Sequence, residues 1–491
     1  MRDVQPCDSQ QATCGFAVLA AMIVSLSATA AHAQIRIDAG KEIGAIRALH
    51  GVNNGPLNQG ETLDLSEHWK AIKIPIARLH DAEWPSPDVI DVHAVFPNLK
   101  ADATDEKSYR FARTDDYLKA IHATSAGIVY RLGESIEHSP RKHRVHPPAD
   151  HDQWAAACVG IIRHYNEGWA GGMKLGIRYW EIWNEPENRP AMWTGNDDDY
   201  FRLYSTAALA IRKRFSDVKI GGPSVGATGE VVDGQWKPTP FLRGFFEHVG
   251  KTKAPLDFFS WHTYSNDPLL YGRKAKAMRR WLDEHGFRGA ELHLNEWNYL
   301  PDDDWTPMLA KAGGAGRARW YERMGGAEGA AFAATVLLDL QDAPVDVCNF
   351  YSGDSSHFGL FTRDGVPKKT FHAMRAFVHL VETPVRVEAT GQAGSCRVVA
   401  GLNKGRTLMT VLASRFVAPK KGEADGDSIE QTINIENLPW KGATRWQVSV
   451  IDAEKNLEAV DSGRAEAGPV QLSQNLSGQT VVMIRLSEEK R

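Results

Sequence analysis

The sequence predicts an α/β protein, a (β/α)₈ barrel with an accessory C-terminal β-sandwich. Between about Ala48 and Ala376, short apolar runs alternate with longer amphipathic runs, as in strands joined by crossover helices. Eight such units can be counted, and a barrel of this kind needs about 250 residues, which the span provides. Beyond Thr383 the apolar residues alternate with polar ones, and turn residues separate short strands.

Each barrel unit is predicted as one strand followed by one helix. The predicted strands are Leu49–Asn53, Ile74–His80, Gly127–Leu132, Ile177–Asn184, Val218–Gly221, Asp257–Tyr264, Glu291–Trp297 and Val345–Tyr351. The clearest predicted helices are Asp115–Ala126, Asp152–Trp169, Asp198–Phe215, Leu269–His285, Trp320–Gln341 and Pro367–Leu380. Several of these helices open with acidic residues, which the positive end of the helix dipole stabilises.

The two ends of the chain differ from the barrel. Residues 1–33 are predicted to be a signal peptide, because the apolar run Phe16–Leu26 leads to the small-residue site Ala31-His32-Ala33. We therefore expect the protein to be secreted or periplasmic. Residues 34–47 are predicted to be a strand that is a candidate to join the sandwich. Residues 48–380 are predicted to form the barrel, and residues 381–491 the sandwich.

Composition and charge exclude several classes of partner. The 491 residues carry 57 basic and 61 acidic side chains, a net charge of -4, so there is no basic surface for nucleic acid or an anionic membrane. No stretch outside the leader reaches the roughly 20 apolar residues of a membrane span. The cysteines outside the leader are Cys158, Cys348 and Cys396, which have the spacing of neither a zinc site nor a disulfide framework. The oligomeric state is left open.

Two glutamates stand at predicted strand ends, where a barrel places its catalytic groups. The fourth strand runs into Asn184-Glu185-Pro186, and the seventh runs into Asn295-Glu296. Glycoside hydrolysis requires such a pair, because one carboxyl must protonate the leaving oxygen while the other, ionised, attacks the anomeric carbon. We therefore predict that Glu185 and Glu296 are catalytic.

Neighbouring residues fit the same chemistry. Trp183 and Trp193 could desolvate Glu185 and raise its pKa, which would keep its proton available. In the sixth strand the period of two puts His262 and Tyr264 on one face, pointing inward.

Both His262 and Tyr264 are predicted to bind substrate, and the Tyr264 hydroxyl could also donate to Glu296. Asn184 is placed to hydrogen-bond the sugar 2-hydroxyl.

Other polar residues receive structural interpretations. Glu181 is expected to pair with an arginine inside the barrel such as Arg78, and Glu187 and Glu291 are expected to be a loop residue and a strand-start residue. Four histidines are close in sequence, but basic residues between them would repel a cation, so neither a metal nor another cofactor is expected. They are His138, His143, His146 and His151.

The sequence resembles glycoside hydrolase family 39, the β-xylosidase and α-L-iduronidase family, over roughly Ala48–Phe377. The motifs that carry the resemblance are Trp180-Glu181-Ile182-Trp183-Asn184-Glu185-Pro186-Glu187, Trp261-His262-Thr263-Tyr264, Asn295-Glu296-Trp297-Asn298, Phe358-Gly359-Leu360 and Gly365-Val366-Pro367-Lys368. The resemblance implies that Glu185 is the general acid/base and Glu296 the nucleophile, with retention through a covalent glycosyl-enzyme. It also implies that Arg78 and His80 support the nucleophile and contact the nonreducing sugar.

The expected substrate is an oligosaccharide with a neutral terminal sugar. Family members usually carry a tryptophan on strand eight under the sugar, whereas this chain offers Phe350 or Tyr351 there. Trp297 and Tyr351 are added to the predicted substrate-binding residues. Arg78 is the one cation placed at a strand end, which favours a neutral sugar over a uronate.

The hypothesis is a retaining exo-β-glycosidase without a cofactor, a β-xylosidase acting on xylo-oligosaccharides. The alternatives are an arabinosidase, a β-glucosidase or an exopolysaccharide hydrolase of the same fold, and a non-catalytic carbohydrate-binding protein.

Overall fold

The computed structural model describes residues 34–82, 86–309, 311, 313–392, 394, 396–419 and 428–489. The predicted leader, residues 1–33, lies outside the described residues. None of the helices in the described part of the chain combines the length and the hydrophobicity that a transmembrane span needs.

Eight parallel strands close into a barrel, as predicted. In chain order they are Gly51–Asn53, Ile76–Leu79, Gly127–Leu132, Tyr179–Ile182, Lys219–Val225, Phe258–Ser265, Glu291–Tyr299 and Val347–Phe350. The eighth strand closes the barrel by pairing Phe350 with Val52 of the first. Because all eight strands run in the same direction, their carboxyl ends and the loops that follow meet at one rim.

Helices surround the barrel and pack their apolar sides against its outward-facing residues. The α-helices are Ser66–Ala71, Val92–Val95, Ala112–Ala123, His151–Asn166, Asp197–Arg214, Pro240–Thr252, Leu270–Glu284, Gly314–Gly325, Ala327–Asp339 and Lys369–Val381. Short 3₁₀ turns are Glu106–Ser108, Trp169–Gly171, Pro301–Asp303, Thr306–Met308 and Leu340–Asp342. Two small hairpins pair Leu57–Asn58 with Leu63–Asp64, and Gly229–Val232 with Gln235–Pro238.

One predicted helix is wrong in its extent. The expected helix Trp320–Gln341 is two helices, which meet at Gly326 in an extended conformation, with φ -86° and ψ -160°. The physical reason is the pair Gly325-Gly326, since glycine is a poor helix former and pays the largest conformational entropy for helical order.

The accessory domain is a nine-stranded sheet that encloses a core of its own. Its strands are Gln34–Ala45, Val385–Thr390, Cys396–Leu402, Leu408–Phe416, Ile429–Glu436, Thr444–Ile451, Asn456–Ala465, Val470–Leu476 and Gln479–Glu488. The strand nearest the leader, Gln34–Ala45, pairs antiparallel with Val385–Thr390 and parallel with Ile429–Glu436. It therefore lies inside the sheet rather than at an edge.

The sheet has two different faces. One face contributes to the core of the accessory domain, which includes Ile35, Val411 and Ile484. The other face presents Leu412 and Met483 to the core that the barrel helices share. Apolar and polar residues alternate along strands such as Ile429–Glu436, because successive side chains point to opposite faces of the sheet.

Candidate active site

A cleft of about 500 Å³ opens at the carboxyl ends of the barrel strands. The second to eighth strands, with the loops that follow them, contribute its walls. Most of the predicted site residues line this cleft: His80, Asn184, Glu185, His262, Tyr264, Glu296 and Tyr351. The alternation of side chains along separate strands therefore brings together residues that are far apart in sequence.

The turn after the fourth strand directs Glu185 into the cleft. Trp183 and Glu185 adopt φ values of 71° and 43°, a left-handed conformation that is uncommon for residues other than glycine. The backbone N–H of Glu185 donates to the Ser224 carbonyl at 2.9 Å, which ties this turn to the fifth strand. Such rare backbone conformations concentrate at active sites, where the surrounding contacts hold them.

The Glu185 carboxyl has two hydrogen-bond donors. His262 Nδ1 lies 2.8 Å from its Oε1, and Asn188 Nδ2 donates to its Oε2 at 2.9 Å. Burial raises the pKa of Glu185, but the His262 and Asn188 hydrogen bonds and the charge of His262 outweigh burial and lower it. In the free enzyme these contacts therefore stabilise the ionised form.

The predicted aromatic setting of Glu185 is wrong. The Trp183 ring packs edge-on against Trp193 and its Nε1 donates to the Met192 carbonyl, so both rings belong to the buried layer behind the cleft. The reason is the left-handed turn, which sends Trp183 outward and Glu185 inward.

The Glu296 carboxylate faces Glu185 from the seventh strand. The Tyr264 hydroxyl donates to its Oε1 at 2.6 Å, and Arg78 donates to its Oε2 at 3.2 Å. Burial and the Glu296 charge raise the pKa of Tyr264, so that it remains a donor at neutral pH. One oxygen of Glu296 and one oxygen of Glu185 lie within 4.8 Å of each other, and a His262 ring nitrogen also lies within 4.8 Å of both.

Arg78 organises the floor of the cleft rather than facing the open space. Its side chain is fully buried, and its Nε donates to Glu181 at 2.7 Å, the pairing expected from the sequence. A second nitrogen donates to the Asn184 amide oxygen at 2.6 Å and to the Ser224 hydroxyl at 2.8 Å. Because the Asn184 oxygen is engaged, a sugar hydroxyl would bind its NH₂ end. Arg78 thus orients both Glu296 and Asn184.

His262 and His80 differ in how many of their ring nitrogens contact other protein groups. Both ring nitrogens of His262 are engaged by protein, Nδ1 with Glu185 and Nε2 with the Ser224 hydroxyl, both at 2.8 Å. Because Glu185 and Ser224 occupy both of its nitrogens, neither nitrogen is left for the sugar contact that the sequence predicts. His80 lies beside Asp81, with Nε2 at 3.2 Å from Oδ2, and its buried Nδ1 has no partner among the described residues.

Trp297 is a wrong prediction. Its side chain is 0% exposed and its ring packs edge-on against Tyr271 and Phe350, outside the cleft. The reason is the period of two along a strand: because Glu296 points into the barrel, the next residue points out toward the helices.

Trp305 is the aromatic residue that the sequence analysis missed. It lies in the loop after the seventh strand, is 40% exposed, and lines the cleft with its ring edge-on to Tyr264 at 5.0 Å. An exposed tryptophan is suited to stacking on the apolar face of a sugar. Its position nine residues after Glu296, in the loop at the barrel rim, was the available signal.

Asp91, His93 and Glu134 also bring ligand-type atoms close together. Arg131 donates to Asp91 at 2.8 Å, and His93 Nδ1 contacts Glu134. Since a guanidinium already neutralises Asp91, this group is a buried ion-pair network and a poor fit for a metal ion.

Comparison with known proteins points to a single family. Residues 132–282 match the model of glycosyl hydrolases family 39. A beta-xylosidase of Caldicellulosiruptor saccharolyticus is 25% identical over 300 residues, 55% of this chain and 55% of that protein. The match thus spans about half the length of such curated relatives.

Solved structures share the fold over most of both chains. The glucosidase from Croceicoccus marinus superposes with a TM-score of 0.77 at 23% identity, over 93% of this chain and 99% of that one. A monomeric beta-xylosidase from Caulobacter crescentus CB15 gives 0.70 at 15% identity, again over 93% and 99% of the chains.

Proposed function

Because the chain belongs to glycoside hydrolase family 39, we propose that it is a retaining exo-β-glycosidase, a β-xylosidase that releases terminal β-D-xylosyl residues from xylo-oligosaccharides. The observation that carries the proposal is the pair Glu185 and Glu296, whose nearest oxygens lie within 4.8 Å in one cleft. Retaining enzymes hold their two carboxyl groups about 5 to 5.5 Å apart, whereas inverting enzymes need about 6.5 to 9.5 Å to admit a water molecule. The separation favours retention.

In the first step, Glu296 attacks the anomeric carbon while Glu185 gives its proton to the leaving oxygen. The C–O bond to the leaving group breaks, and a glycosyl ester forms on Glu296. Tyr264 and Arg78 hold the attacking carboxylate from two sides, so it is oriented before the sugar arrives.

In the second step, Glu185 accepts a proton from a water molecule, which attacks the same carbon and releases Glu296. The His262 and Asn188 hydrogen bonds suit Glu185 to this role, because they stabilise the carboxylate that acts as the base. Two displacements on one carbon restore the original configuration.

The cleft chemistry supports a neutral sugar. Arg78 is committed to Glu181, Glu296 and Asn184, and among the described residues the remaining basic groups lining the cleft are histidines. A uronate carboxylate would call for a free guanidinium or ammonium group. Two of the sequence relatives are named beta-xylosidases, which supports xylose as the neutral sugar.

A β-glucosidase is the second candidate, because the structure with a TM-score of 0.77 is that of a glucosidase. Xylose and glucose differ by the hydroxymethyl group at C5, so the pocket beside that carbon distinguishes them.

A panel of 4-nitrophenyl glycosides tests the specificity. We expect kcat/KM for the β-D-xyloside to exceed that for the β-D-glucoside by about tenfold or more, the range that one extra carbon group commonly produces. The α-L-arabinofuranoside serves as the pentose control. A higher value for the glucoside would establish the second candidate, and turnover of none of the substrates would leave a carbohydrate-binding protein.

A further inference from the structure

Glu187 lies two residues after Glu185, in the loop that follows the fourth barrel strand. Its Oε1 accepts hydrogen bonds from the backbone N–H groups of Gly226 and Ala227, at 2.8 and 2.9 Å. Its Oε2 is buried and has no hydrogen-bond partner among the described residues. A buried carboxylate with an unsatisfied oxygen is costly, whereas the neutral acid carries a much smaller desolvation penalty. The two backbone N–H groups favour the ionised form, but burial of the carboxyl outweighs them and favours a protonated Glu187.

Glu187 and Glu185 both lie close to Gly226, in the loop that follows the fifth barrel strand, here called the fifth-strand loop. A β-carbon added to Gly226 would lie 2.7 Å from Glu185 Oε1 and 3.8 Å from Glu187 Oε1. Two carboxyl groups so placed resist carrying two negative charges at once. Burial and the neighbouring Glu185 charge raise the pKa of Glu187 to about 7. The two groups therefore titrate as a coupled pair.

Two further titratable side chains of the described residues face Glu187. His262, on the sixth strand, lowers the pKa of Glu187, but less than burial and Glu185 raise it. Tyr200, on the helix Asp197–Arg214, donates to the Ile182 carbonyl, and burial raises its pKa so that it stays neutral. The fifth-strand loop presents backbone N–H groups to Glu187. Glu185 is thus the carboxyl with which Glu187 competes for a proton.

We propose that Glu187 is a positioning residue that shares one proton with Glu185, so that a fixed fraction of the enzyme carries this proton on Glu185 up to neutral pH. The proposal rests on the proposed function, because it takes Glu185 as the general acid. Alone, Glu185 would lose its proton well below neutral pH, since His262 and Asn188 stabilise its ionised form. As long as the pair holds one proton, the ratio of molecules with the proton on Glu185 to molecules with the proton on Glu187 does not change with pH.

Replacing Glu187 by glutamine tests the catalytic consequence. The Glu187→Gln variant keeps an oxygen for Gly226 and Ala227 but cannot hold the shared proton. With a phenyl glycoside, a poor leaving group, the alkaline limb of the kcat/KM profile should move down by about one pH unit or more. The leaving group of a 2,4-dinitrophenyl glycoside needs little protonation. With this substrate, the kcat/KM values of the wild type and Glu187→Gln should agree within about twofold over the same pH range. Glu230→Gln, which removes an exposed carboxylate from the hairpin after the fifth strand, should behave as the wild type.

A second readout needs no turnover and so separates this proposal from the proposed function. In the unfolded chain Glu187 ionises near pH 4.5, but in the folded protein it keeps its proton to about pH 7. The stability contribution of the protonated group is thus fully present below pH 4.5 and is lost as the pH rises to about 7. The Tm of the wild type minus the Tm of Glu187→Gln should therefore decrease between pH 4.5 and about pH 7 and stay constant at higher pH.

Two results overturn the proposal. One is a Tm difference that does not change with pH, and the other is an alkaline limb that stays in place with the phenyl glycoside. If the wild type turns over no glycoside, the proposed function fails, and the Tm difference decides by itself whether Glu187 holds the proton.

Discussion

The variant Glu296→Gly should lose kcat/KM for an aryl β-xyloside on the order of 10⁵-fold, the scale seen when a nucleophile is removed. No glycosyl ester can form without the Glu296 carboxylate, and Tyr264 and Arg78 are left pointing into an empty space. Azide is small enough to enter that space and attack the anomeric carbon directly. Added azide should therefore restore turnover and give an α-glycosyl azide, with configuration inverted by a single displacement.

The matched control is Glu291→Gln. Glu291 begins the same seventh strand, at the opposite end of the barrel from the cleft, where it contacts Lys219 and His293. Its replacement should leave kcat/KM within about twofold of the wild type, as expected for a change away from the reacting atoms. Full activity of Glu296→Gly, or a β-glycosyl azide from it, would contradict the role of Glu296.

The variant Glu185→Ala should separate substrates by their leaving groups. Hydrolysis of xylobiose, whose leaving oxygen needs a proton, should slow by about 10³-fold or more, within the usual contribution of general acid catalysis. The glycosylation step of a 2,4-dinitrophenyl xyloside should be nearly unaffected, because its leaving group departs as an anion. Pre-steady-state kinetics measures that step separately from the second step, in which Glu185 is needed as the base.

Azide again reports on the missing group. In Glu185→Ala it attacks the glycosyl ester from the side that Glu185 vacates, so the product should be a β-glycosyl azide, opposite to that from Glu296→Gly. Equal losses on xylobiose and on the dinitrophenyl substrate, or the same azide anomer from both variants, would contradict the assignment of the two carboxyls.

The position of the candidate site could be predicted because the period of side chains along a strand and the common direction of barrel strands can be inferred from the sequence. The predicted barrel strands overlap the observed ones, and the third has the same bounds, Gly127–Leu132. Since every strand end lies at one rim, Glu185 and Glu296 could be placed together without knowing any side-chain conformation. The same period of two supported the contact between Tyr264 and Glu296.

The errors arise where a side chain leaves the regular strand pattern. The left-handed φ of Trp183 and Glu185 cannot be read from a run of strand-like residues, so the prediction put the Trp183 ring beside the acid. Trp297 directly follows Glu296, and alternation places successive residues of a strand on opposite faces, so the two side chains do not share the cleft.

Residues outside the strands were the hardest to find. Trp305 reaches the cleft through the conformation of the loop after the seventh strand, which depends on tertiary contacts such as that with Tyr264. In the accessory sheet, the strand Asn456–Ala465 is exposed along most of its length and so lacks the apolar alternation that predicts a strand.

The anomeric configuration of the first product tests the account most directly. Wild-type enzyme is mixed with the aryl β-glycoside that it hydrolyses best, and ¹H NMR spectra are recorded before the released sugar mutarotates. The double displacement by Glu296 and Glu185 predicts that the β-anomer appears first and that the α-anomer follows only by mutarotation. If the α-anomer appears first, hydrolysis is a single displacement by water, and the covalent role of Glu296 is excluded.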